Sequence, residues 1–224
     1  MTATVHVDTY ASAAPKANSR NGIRPLVAGA GITFLIAWIV GLSVWPTNLS
    51  VRASGAQIID ALTGHTTAAT VQFLTSQGLA GLALAVVLTT VVRPARITGA
   101  AAVAVSLTQC ALGVHLAGWV APEGNAAAAA TFYGLIDRLD GVKMLLLAAT
   151  AALVSIPMLR NRNLMLRNRT RSLIVPGLGL LLAAAITVSG IGYLLLNTTL
   201  APAAYVSGVL LLIWVPALAL TTRR

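Results

Sequence analysis

Acidic side chains are scarce in this chain: five Asp and Glu stand among 224 residues, against fifteen Lys and Arg. Charged residues of both signs make up 9%, far below the roughly 25% of average soluble domains. That shortage excludes an ordinary water-soluble fold. Cysteine occurs once, as Cys110, so no intrachain disulfide, CxxC pair or thiolate metal site can form. Three histidines make no haem-bearing ladder. A phosphate-binding glycine loop, an aspartate-rich metal cluster and a Ser-His-Asp order are also missing, and we expect neither metal nor other cofactor.

What is present in excess is apolar sequence, 57% of the chain, with a mean hydropathy of +0.85. Six blocks contain no Asp, Glu, Lys or Arg: Leu26–Trp45, Val71–Val92, Ile97–Val120, Met144–Leu159, Ser172–Leu196 and Leu200–Leu220. At about 1.5 Å rise per residue, a helix of 20 or more residues crosses a hydrocarbon core of roughly 30 Å. Five blocks reach that length. The fourth does so only if Ala126–Gly141, with its helix-favouring alanine run, continues the same helix. The expected fold class is an all-α integral membrane protein with six transmembrane helices, a single membrane domain over 25–222 and localisation as a multi-pass protein of the cell membrane.

The net charge of +10 suggests nucleic acid only until the positions are read. Lys16, Arg20 and Arg24 precede the first block. Arg93 and Arg96 lie between the second and third, Arg160, Arg162, Arg167, Arg169 and Arg171 between the fourth and fifth, and Arg223 and Arg224 at the end. With six spans all of these fall on one side, the pattern of cytoplasmic loops. Both termini are therefore expected in the cytoplasm, with residues 1–24 as a disordered basic tail, membrane lipid as the partner and no nucleic acid. Between spans one and two, Ser54–Gly64 reads as a short amphipathic helix with Ser54 as cap and Gly64 as stop.

The remaining acids, Asp60, Glu123, Asp137 and Asp140, fall on the opposite side, together with His65, His115 and Lys143. Asp137 and Asp140 are three apart and share a helix face. Two carboxylates that close resist joint ionisation, which makes the pair a candidate proton donor. Lys143 follows Asp140 at salt-bridge spacing. The same residues also suit an interfacial charge cluster that anchors a helix end. Asp60 is either a lid residue turned inward or the wet face of an interfacial helix. Trp45, Phe73, Trp119, Phe132, Tyr133, Tyr193 and Tyr205 crowd the same end, as an aromatic belt or as rings lining a cavity that tolerates a cation.

In its size, span count and sparse acids Asp60, Asp137 and Asp140, the chain resembles small bacterial integral-membrane terpene cyclases, which close prenylated indoles and related meroterpenoids in secondary-metabolite (antibiotic) biosynthesis without a metal. The resemblance implies closure of a lipophilic prenylated substrate, with Asp60, Asp137 and Asp140 as catalytic acids that start carbocation chemistry. His115, Trp119, Phe132, Tyr133 and Tyr193 are the expected substrate-binding residues. The alternative is a non-enzymatic membrane protein: a small-molecule or lipid transporter, an immunity factor or an accessory subunit.

Overall fold

The computed structural model describes residues 20–45, 49–160 and 169–221. Residues 1–19 of the expected tail and Arg162, Arg167, Arg223 and Arg224 lie outside the described residues. All regular structure among the described residues is helical. In chain order the helices are α1 (Arg20–Val44), α2 (Gly55–Leu62), α3 (Thr66–Leu88), α4 (Arg93–Val120), α5 (Ala126–Arg160), α6 (Arg169–Leu194) and α7 (Ala203–Thr221). All except α2 are long and apolar enough to cross a membrane. Helix α1 opens at Arg20, inside the expected tail; Arg20, Ile23 and Arg24 are ordinary helix formers and extend the apolar span by a turn.

Local chemistry sets the helix ends. Ser54 and Gln57 form a reciprocal capping box at the start of α2: the Ser54 hydroxyl accepts from the Gln57 N–H, and the Gln57 side chain accepts from the Ser54 N–H. Gly64, at φ +76°, turns the chain into α3. Pro94 occupies the first turn of α4, where its missing N–H costs nothing. Helix α6 closes in a Schellman motif, with Asn197 N–H donating to Gly192 O at 2.7 Å and Leu196 N–H to Tyr193 O at 3.1 Å. The left-handed position of that motif is held by Leu196, at φ +49°. Leu196→Gly should relieve this and raise stability by about 1 kcal/mol, seen as a higher unfolding midpoint in detergent.

The helices build two tiers. The lower core runs from Val27 and Phe34 through Leu84, Val87 and Ala102 to Leu147, Val154, Leu182, Trp214 and Val215, and so draws on all six long helices. The upper core contains Trp45, Ile58, Leu62, Ala69, Leu116, Val120, Ala129 and Ile136. It is made by α2 with the first part of α3, the end of α4 and the start of α5. The fourth span is a single helix of 35 residues, about 52 Å long, which runs through both tiers as the alanine run predicts. Helix α6 packs on its lower part only: Gly141 faces Gly190 and Leu194, where α6 ends. Gly31 of α1 lies against Pro216 and Ala219 of α7, so the first and last helices run side by side, with the start of α1 and the end of α7 at the same end of the bundle.

Outside the cores the lower tier presents Ile32, Ile36, Ile39, Leu82, Ile97, Leu181, Val209 and Ile213, each half or more exposed. An apolar exterior of this extent suits hydrocarbon rather than water.

Candidate functional site

The two tiers meet on α5 between Ile136, in the upper core, and Leu147, in the lower one. Asp140 and Lys143 occupy this interval. Their spacing of three brings both heads to one side of the helix, and Lys143 Nζ lies 2.5 Å from Asp140 Oδ1. Lys143 is buried, at 6% exposed, and Asp140 is half-buried. The sequence places these residues near the outer interface. Beside α6 they are indeed level with a helix end, yet α3 and α4 continue past them, so the charges face the middle of those two helices.

A polar shell meets the pair there. Lys143 Nζ donates to Gln77 Oε1 at 2.8 Å. Gln77 accepts in turn from Ser106 Oγ at 3.0 Å. Gln109 Nε2 donates to Asp140 Oδ1 and to Ile136 O, both at 3.0 Å. Helix α3 adopts a π-helical turn over Leu74–Leu79, which changes the facing of the residues within it; such turns recur at functional sites. Gln77 lies in that turn. The arrangement gives the buried ammonium and the half-buried carboxylate each an additional hydrogen-bond partner, the condition under which an ion pair is tolerated away from water.

Beside the pair opens a cavity of about 610 Å³. Asp140, Lys143 and Gln77 form part of one wall; Phe34, Trp38, Leu84, Leu147 and Leu211 supply apolar surface; Tyr193 and Tyr205 add phenols. The cavity extends to Ser50 and Val51 after α1 and to Thr198 and Pro202 between α6 and α7. These two connections are joined by Arg52, whose Nε donates to Leu196 O at 2.8 Å.

Of the residues expected from sequence, Asp140 and Tyr193 line the cavity. Asp137 lies one helical turn before Asp140 and is 6% exposed; its Oδ2 has no hydrogen-bond partner. Tyr133 is half-buried and donates to Leu49 O at 3.4 Å. His115 stacks on Trp119 at 5.8 Å and meets Phe132 at 5.1 Å, a group on the upper tier in which His115 and Trp119 are exposed. Asp60 is exposed on α2. None of Asp60, His115, Trp119, Phe132, Tyr133 and Asp137 is among the cavity-lining residues. Among the described residues no three His, Cys, Asp or Glu side chains converge as metal ligands.

Gln77, Trp38 and Ser76 escape sequence reasoning as site residues. Gln77 carries the best signal, an amide in the middle of an apolar span, but its facing depends on the π turn. Among the described residues, fold and site together define a helical protein with six helices fit to span a membrane and an ion pair at a cavity. No family model matches this chain, nor does any curated protein or solved structure.

Proposed function

We propose that this is a membrane-resident binding protein for a lipophilic small molecule, with both chain ends in the cytoplasm. The observation that carries the reading is the cavity of about 610 Å³, within the range of roughly 300–1,000 Å³ typical of ligand sites, whose apolar and aromatic walls surround one hydrogen-bonded ion pair. The apolar surface holds the body of the ligand, and the polar shell orients its head. The cytoplasmic assignment is supported by Arg93 and Arg96 at the start of α4 and Arg160 at the end of α5, which share the end of the bundle where α1 begins and α7 finishes. Binding is tested with the purified protein in lipid nanodiscs and nitroxide-labelled lipophiles: quenching that disappears in Trp38→Phe supports it, and quenching unaffected by that substitution removes it.

A second reading, acid-initiated cyclisation of a prenylated substrate, is favoured by Asp137. Asp140 is paired with Lys143, whereas Asp137 is a buried side chain with an unpartnered oxygen. Acting as the acid, Asp137 would give its proton to one alkene carbon. A second alkene would then attack the cation to close the ring, and loss of a proton from a neighbouring carbon back to the carboxylate would leave an isomer with one double bond fewer. Membranes containing the protein, incubated with polyprenyl alcohols and prenylindoles, should yield products of unchanged mass and one additional ring. Asp137→Asn should lower that yield by about 100-fold or more, with Asp60→Ala unchanged; equal yields from Asp137→Asn and the parent protein would dismiss the cyclase.

A further inference from the structure

The charge balance of the cavity narrows the class of ligand, on the binding reading just given. Among the described residues that line it, the charged side chains are Lys143 and Asp140, which neutralise one another at 2.5 Å. We propose that the cavity selects a neutral lipophile with a hydrogen-bonding head, an alcohol or a carbonyl compound, over an acid or an amine of the same apolar body.

A carboxylate head brought to this wall meets the like charge of Asp140, and an ammonium head meets that of Lys143. Either one adds a third charge to a hollow whose remaining surface is mainly apolar, with Phe34, Trp38, Met144 and several leucines in its walls. An uncompensated charge in such surroundings is expensive, and so are like charges brought together across a desolvated contact. A neutral head avoids both costs. It also finds partners. The ammonium has three N–H donors, of which Asp140 and Gln77 take two, so one remains for a hydroxyl or carbonyl oxygen. The phenols of Tyr193 and Tyr205 line the same cavity and can donate or accept without adding charge, and the hydroxyls of Ser76 and Ser207, which donate to Gln72 O and Ala204 O, can still accept.

The test uses the full chain in nanodiscs and three nitroxide-labelled probes of equal chain length ending in a hydroxyl, a carboxylate or an ammonium group. Quenching of Trp38 is the readout, taken as the difference between the parent protein and Trp38→Phe and corrected for partitioning into empty nanodiscs. The alcohol should bind about tenfold more tightly than either charged probe. Asp140→Asn should turn the preference toward the carboxylate probe and Lys143→Gln toward the ammonium probe. Binding of the acid or the amine by the parent protein as tightly as the alcohol overturns the inference while leaving the cavity as a binding site. Trp38-dependent quenching by none of the three overturns the binding reading, and this inference falls with it.

Discussion

Lys143→Met is expected to destabilise the protein by about 3–5 kcal/mol, the largest effect of any single polar substitution here. Methionine fills much the same volume, so packing changes little. What remains is the Asp140 carboxylate, stripped of its counter-charge and facing Gln109 alone. Gln77 Oε1 loses a donor at the same time and keeps only Ser106. The cost is that of a largely desolvated charge left unpaired, larger than the net worth of the pair itself. It follows that Lys143→Met combined with Asp140→Leu should recover most of the loss, because replacing both members of a buried pair by apolar groups is often close to neutral. Unfolding of the three variants in detergent, followed by loss of helical circular dichroism, checks this. A single variant as stable as the parent would mean that the pair is hydrated.

Gly141→Leu should cost about 1–3 kcal/mol or more and abolish ligand binding. The reason is backbone contact on both sides: a Cβ at this position would press on Gly190 O and on the Leu194 backbone nitrogen, and neither can step aside as a flexible side chain can. The helices must separate, and small residues at such crossings are what lets them approach. Gly141 sits between Asp140 and Lys143 in the chain, and the neighbouring Tyr193 lies on the cavity wall. Separation at this crossing therefore moves three cavity residues at once. Gly134→Leu, two turns earlier on the same helix with nothing within 4 Å, is the control and should be tolerated, since leucine favours helix over glycine by close to 1 kcal/mol. Equal unfolding midpoints and equal probe binding for Gly141→Leu and Gly134→Leu would contradict the packing account.

Much of the architecture is legible in the residues. Charge-free blocks locate the six long helices because a bilayer tolerates few charges and demands a minimum length. The alanine run Ala126–Ala130 announces that the fourth helix extends far above its apolar block, and it does, to 35 residues. Ser54, Gln57 and Gly64 mark α2 because capping is a contact between residues close in sequence. The Asp140–Lys143 pair follows from helical spacing alone.

The site is legible only in part. Asp137, Asp140 and Tyr193 stand out as rare groups in apolar surroundings, but so do Asp60, His115 and Trp119, which are exposed. Titratable character by itself does not distinguish the two sets. Gln77 and Ser106 look like incidental polar residues until α3 and α4 are brought against α5.

The chain by itself determined that there are six membrane-length helices, roughly where each lies, and which side chains are too costly to leave in lipid, since these follow from composition, local hydrogen bonding and a period of 3.6 residues. Only the tertiary structure decided that α6 stops level with Gly141 while α3 and α4 run on, and that a π turn places Gln77 against Lys143. Those outcomes depend on contacts between residues such as Gln77 and Lys143, 66 positions apart, and no local pattern encodes which face of one helix meets which face of another.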